Sequence, residues 1–249
     1  MNQLFLHRGG ELLNRDQLDL IPVPKTTDSY IPVPHYQLAE RLVTISTDIL
    51  RDYVMVGEHY AVARQGNQMF AVLKFQKEEL DIGLSIAFRN SYDRSMSLGL
   101  AIGATVFVCD NLALQGDIVV MRKHTKNVWN ELEDLTITTL YKSEKQFQQI
   151  VADSELLKRQ NLPDDEAFMF MGKLFGYGIV SLRQLTVLKQ EWFRPSHVEF
   201  RDRNMWSFFN ATTETLKSCP PFMIMEKHAQ AYNLLVHGTA SARRNNGVS

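Results

Sequence analysis

The sequence predicts an α+β chain: an N-terminal helix plus an antiparallel β-meander core, with a helical C-terminal half. Three observations carry that expectation. Apolar residues repeat at helical spacing from Tyr36, β-formers gather around a Gln65-Gly66-Asn67 turn signal, and two Ser-x-x-Gln capping spacings precede later apolar stripes.

Residues 1–35 are read as an extended, proline-containing arm. Its segment LIPVPKTTDSYIPVPH, residues 20–35, holds four prolines in two Ile-Pro-Val-Pro units, which excludes helix and favours extended or polyproline-like backbone. Ile and Val supply burial without PxxP repeats, so a strap laid on the core is preferred to a proline-rich ligand for a partner. Residues 36–125 are read as the α+β core. Leu38, Leu42, Ile45 and Ile49 form the apolar stripe of a helix, with Glu40, Arg41, Asp48 and Arg51 facing away. His59 to Arg64 and Gln68 to Phe75 flank the turn signal as a hairpin. Leu80 to Phe88, Gly99 to Cys109 and Asp117 to Arg122 supply three further strands, with Asn111 to Gln115 as a crossover.

Residues 126–240 are read as a helical region packed on the core. Ser143 with Gln146 and Ser181 with Gln184 have capping-box spacing, ahead of Phe147, Ile150, Val151 and of Leu182, Leu185, Leu188, Trp192. Helices are expected near Glu166 to Phe175, Asn204 to Lys217 and Pro221 to His237, the last closed by Gly238. Residues 241–249, small and polar with Arg243 and Arg244, read as a disordered tail.

Composition narrows the function. With 27 basic and 28 acidic residues the net charge is −1, so any polyanion must be held by a local patch. The two cysteines, Cys109 and Cys219, sit in no C-x-x-C or Cys/His cluster, which fits a reducing compartment and disfavours a zinc or redox site. No run of about 18 apolar residues occurs, and the opening MNQLFLHRGGELL lacks a signal-peptide core. A cytoplasmic protein with no membrane span is expected.

The densest polar group is Arg89-Asn90-Ser91-Tyr92-Asp93-Arg94-Ser95, at the end of an apolar strand. Guanidinium, amide and hydroxyl groups all bond phosphate oxygens, whereas a plain turn would use Asn, Ser and Asp on its own backbone. A second group, Val108-Cys109-Asp110-Asn111, and a third, Arg122-Lys123-His124-Thr125, end later strands. Brought to one edge, Arg89, Arg94, Arg122 and Lys123 would make a basic patch, with Asn90, Ser91, Tyr92 and His124 beside them. The bland counterpart is a satisfied polar network under loops. On the helix after Asn204, Trp206, Asn210, Thr213, Glu214 and Lys217 share one face. Asn111, Asn210, Thr213 and Glu214 are thus candidates for the far wall of a site, against interdomain packing as the plain reading. His124, His35, His228 and Asp110 have no metal-ligand spacing, and nothing marks Cys109 as a nucleophile.

Tyr30-Ile-Pro-Val-Pro-His35, Arg89 to Asp93, Val106 to Leu112, Arg122 to Thr125, and Trp206 with Asn210 to Glu214 together resemble a phage- and plasmid-borne family known as a domain of unknown function. The likeness spans about Thr26 to Val236. A histidine often stands in that family where this chain has Tyr92, which weakens any proton-transfer role there. The resemblance implies mobile elements, a bacterial cytoplasm and neighbours that handle DNA or counter host defence. The helix-then-meander core is also similar in outline to single-strand annealing recombinases of the RecT and Redβ kind, an analogy of fold that does not fix function.

The leading expectation is a non-enzymatic homo-oligomer that binds single-stranded DNA on Arg89, Arg94, Arg122 and Lys123, with Tyr92 stacking a base and no cofactor. One alternative is a phosphodiesterase or nuclease using a divalent metal at Asp93, Asp110, His124 and Glu214. Another is an inhibitor of a host defence protein.

Overall fold

A computed structural model describes residues 10–28, 30–77, 81–107, 111–114, 119–120 and 128–238. The described residues open with β1 (Glu11–Leu13) and α1 (Arg15–Asp19), so the expected arm, residues 1–35, is not extended throughout. Asn14 and Gln17 close a capping box on α1, a local signal that the expected arm left out. The proline segment that follows carries one isolated bridge, Thr27 to Tyr30, and feeds α2 (His35–Ile49).

The strands are β2 (Val54–Ala63), β3 (Gln68–Gln76), β4 (Ile82–Ser91), β5 (Gly99–Val106), β6 (Asn111–Leu114) and β7 (Val119–Val120). They form an antiparallel sheet in the order β1-β2-β3-β4-β5-β6, and β7 pairs with β5 beside Gly99 and Leu100. The meander is as expected, with two corrections. β2 begins at Val54 rather than His59, with a bulge between Met55 and Gly57. Asn111–Leu114 is not a crossover but a strand on β5, sharing that edge with β7.

Register gives the sheet two ends. At the hairpin end lie Ala63, Gln68, Ser91 and Gly99, with the turn holding Arg64, Gln65 and Gly66 at positive φ. At the far end lie Gln76, Ile82, Val106 and Asn111. Ten residues of β4 place these ends about 30 Å apart.

Every residue of β4 and β5 is buried, because both faces of the sheet are covered. Asn90 reaches the proline segment and α2, whereas its neighbour Arg89 reaches α7 (Pro221–Tyr232). Successive strand side chains point oppositely, so the strap and α2 cover one face and α7 the other. An antiparallel sheet with one wet face would alternate in polarity, and this one does not.

The C-terminal half holds α3 (Val128–Lys158), α4 (Asp164–Gly176), α5 (Leu182–Phe193), α6 (Met205–Leu216), α7 and a π-helical turn, Asn233–His237, closed by Gly238. The Ser181 capping box forms as expected. Ser143 caps nothing: it is buried inside the 31-residue α3, and its hydroxyl donates to the Leu140 carbonyl. α3 packs on β5 and against α2 and α6, and Trp192, Trp206, Phe208 and Phe209 join the core while Phe193 stays exposed. Among the described residues no helix is long and apolar enough to cross a membrane.

Gly103 shows how closely β6 is seated. A methyl there would lie 2.3 Å from the Ala113 carbonyl oxygen and 2.6 Å from Leu114 Cδ2. Gly103→Ala should therefore lower the unfolding free energy by about 1–3 kcal/mol. Urea melts of the two proteins check this, and an unchanged midpoint would contradict the seating of β6.

Candidate functional site

The Arg89 to Ser95 group divides into an internal lock and an exposed corner. Arg89 is buried on the α7 face, where Nη1 lies 2.6 Å and 2.7 Å from the two Glu226 carboxylate oxygens and 3.0 Å from the Phe222 carbonyl. Its Nε donates to Ser97 O at 3.3 Å. A guanidinium so engaged pins α7 to the sheet, and its burial keeps it out of reach of a phosphate in solution. Asn90, on the opposite face, donates from Nδ2 to the Val33 carbonyl at 2.6 Å and to His35 Nδ1 at 2.9 Å. Since His35 Nε2 faces the Gly66 carbonyl at 2.9 Å, that nitrogen carries the proton and Nδ1 accepts.

Tyr92 completes the lock. Its ring stacks on His35 with centroids 3.9 Å apart, and its hydroxyl accepts the His35 backbone N–H at 2.8 Å. That N–H is an orphan of the first turn of α2, whose N-cap, Pro34, has no side-chain donor or acceptor. Tyr30 OH in turn donates to the carbonyls of Ser91 and Tyr92. Burial pushes the Tyr92 phenol up to about 12, so it stays protonated at neutral pH. Arg89, Asn90, Ser91 and Tyr92, expected on a nucleic-acid surface, are buried structural groups instead.

The exposed corner is made by Arg64 and Arg94, both at positive φ, in loops joined by a Tyr92 N–H to Asn67 O bond of 2.7 Å. Arg94 is exposed and lies 4.3 Å over the Tyr30 ring. Asp93 lies 3.5 Å from the Arg64 guanidinium. Against a desolvation that would raise it, hydrogen bonds from Ser95 and Gln68 and the charge of Arg64 hold Asp93 below its ordinary value. β7 runs antiparallel to β5, so at Val120 the chain heads toward this same end. Arg122, Lys123 and His124 follow, outside the described residues.

The Asn111 group is at the other end of the sheet, so the three polar strand ends do not converge on one edge. Asn111 Nδ2 donates to the Asn210 carbonyl and to Asn210 Oδ1, both at 3.1 Å, joining β6 to α6. Thr213 Oγ1 bonds back to Asn210 O, and Glu214 pairs with Lys217 at 2.5 Å in a largely buried ion pair. Asp110 lies outside the described residues. Asp93 and Glu214, the two described members of the metal quartet, are held by different partners. Among the described residues no three His, Cys, Asp or Glu side chains are grouped to hold a metal.

Sequence reasoning weighed His228 only as a metal ligand, and the structure places it fully buried on α7. Its Nδ1 donates to the Leu112 carbonyl at 2.5 Å, which leaves Nε2 an acceptor without a hydrogen-bond partner; Asn111 Oδ1 is also unpartnered. Desolvation, helped by the charge of Lys217 and opposed by the Leu112 bond, lowers the imidazole to about 4. Lys74, buried in β3 opposite Ser85, was missed, and Ser85 Oγ is 2.5 Å from Thr105 Oγ1 on the same face. The signal was a lysine inside the apolar run Met69 to Phe75. Cys219 is buried, and burial pushes its thiol up, away from nucleophilic use; Cys109 lies outside the described residues.

The His228 shift predicts a pH dependence. Its folded value is depressed, so its contribution is fully present above the unfolded value near 6.5 and is lost as pH falls toward about 4. That loss amounts to about 3 kcal/mol. Chemical denaturation at pH 7.5 and 4.5 should show His228→Gln losing less stability than the native chain by an amount of this order, and equal losses would refute the assignment.

A family model described as "Domain of unknown function (DUF932)" matches residues 25–236. Comparison with curated proteins and with solved structures gives no match.

Proposed function

The chain belongs to the DUF932 family, and we propose that it binds single-stranded DNA at the hairpin end of the sheet. The observation that carries this reading is the exposed corner of Arg64 and Arg94, presented by two loops tied to each other and to a rigid sheet. Left-handed backbone at non-glycine residues costs free energy and persists where surrounding structure enforces it, often at binding sites. Arg94, laid on Tyr30, offers its outer face as a cationic platform for a base, and Arg64 offers hydrogen bonds to phosphate. Arg122 and Lys123, outside the described residues, enter the proposal from the sequence alone.

In this reading the basic residues are Arg64, Arg94, Arg122 and Lys123, with Arg89 replaced by Arg64 and Tyr92 removed as a stacking partner. The role is non-catalytic. A metal-dependent hydrolase has less support, because the Glu214 carboxylate is already neutralised by Lys217 and that of Asp93 is held by Ser95, Gln68 and Arg64. The helix-then-meander order favours strand annealing within a mobile element as the use of such binding, on the likeness to annealing recombinases.

Fluorescence anisotropy of a labelled oligonucleotide at rising salt tests the proposal. Replacing both arginines, Arg64→Ala with Arg94→Ala, removes one phosphate contact and one stacking platform, and should flatten the log-log salt slope by about 0.7 while weakening binding at every salt concentration. Arg89→Ala should lower stability and leave that slope alone. No binding at low salt, or a slope indifferent to the double replacement, would sink the reading.

A further inference from the structure

Helix α4 is apolar on both sides. Ala167, Phe170, Met171 and Leu174 face the core, as the helical repeat requires. Phe168, Met169, Gly172, Phe175 and Gly176 recur at helical spacing on the outer side, and all five are exposed. Phe168 and Met169 are 46% and 45% exposed, and a methyl added at Gly172 or Gly176 would meet nothing within 4 Å. The apolar surface continues past the helix end through Tyr177 and Leu182, both 70% exposed. A helix with a second apolar stripe is stable in water only at a cost that a packed partner removes. The two glycines let a second backbone come close.

The charges say which partner fits. Asp165, Met169 and Lys173 stand four residues apart, on one line along the outer face. Among the described residues Asp165 and Glu166 make no ion pair, and Lys173 has no carboxylate partner but lies 5.4 Å from the Phe170 ring. Two copies of α4 packed antiparallel about a twofold axis at Met169 set Asp165 of each copy against Lys173 of the other. A parallel pair would set acid against acid. Antiparallel packing also opposes the helix dipoles favourably.

We propose that this chain self-associates into a twofold dimer through the outer face of α4, centred on Met169 and closed at each end by an Asp165–Lys173 ion pair between copies. The contact is independent of the DNA-binding corner, which lies in the sheet. A 13-residue helix is about 20 Å long, so even with Tyr177 and Leu182 the interface is small and the dimer reversible.

Sedimentation velocity of the full chain from about 1 to about 100 µM provides the test. The native chain should pass from monomer to dimer over that range. Met169→Glu should raise the dissociation constant by about tenfold or more, with unchanged far-UV circular dichroism. Lys173→Glu alone should weaken the dimer by setting glutamate against Asp165, and adding Asp165→Lys should restore it by inverting the pair. That rescue requires Asp165 to face Lys173 of another copy. Should Met169→Glu disturb folding, the two charge exchanges decide alone. A native chain that stays monomeric throughout overturns the proposal, and so does a dimer indifferent to the charge exchanges.

Discussion

Covering the sheet on both faces denies its polar side chains any water, and much of the remaining architecture answers that demand. A buried guanidinium or amide without partners costs several kcal/mol, so each must be met by a group from another element. Arg89 meets Glu226 and the Phe222 carbonyl, which fixes where α7 lies. Asn90, one residue on, meets Val33 and His35, which fixes where the strap and α2 lie. Two adjacent residues of one strand thereby set both outer layers. At the far end Asn111 does the same for α6. Apolar burial supplies the bulk of the stabilisation without direction, and these few polar contacts supply the direction.

Most elements were legible because hydrophobic period and turn chemistry are local. The meander, α2, α4, α6 and the Ser181 cap all follow from residues within a few positions of one another. Ser143 and Ser181 carry the same spacing, yet only Ser181 follows a break, the left-handed Gly178 and the apolar pair Ile179-Val180. Ser143 continues a helix already under way. β6 was passed over because four residues, Asn-Leu-Ala-Leu, are too few to show a period.

The site was harder to read, for a physical reason. Arg, Asn, Ser and Tyr at a strand end make the same pattern whether they await a ligand or bind one another. What decides is a set of partners far away in the chain: 57 residues separate Tyr92 from His35, and 137 separate Arg89 from Glu226. The interaction that removed Arg89 from the exposed corner is therefore long-range by nature, whereas Arg64 and Arg94 stay exposed because they occupy turns. The outer stripe of α4 was in plain view as a Met- and Phe-rich helix, but a pattern cannot say which apolar side lacks a partner.

The Tyr92 lock bears on the order in which this molecule assembles. The strap and the first turn of α2 leave the ribosome roughly sixty residues ahead of Ser91 and Tyr92, whose groups they bond. Until β4 has been made, the first amide of α2 lacks its cap and Tyr30 lacks its acceptors. The earliest synthesised part of the core is thus among the last to settle. Such a contact, closed over a long loop after the meander is in place, couples the two ends of the α+β core into one cooperative event and slows its completion.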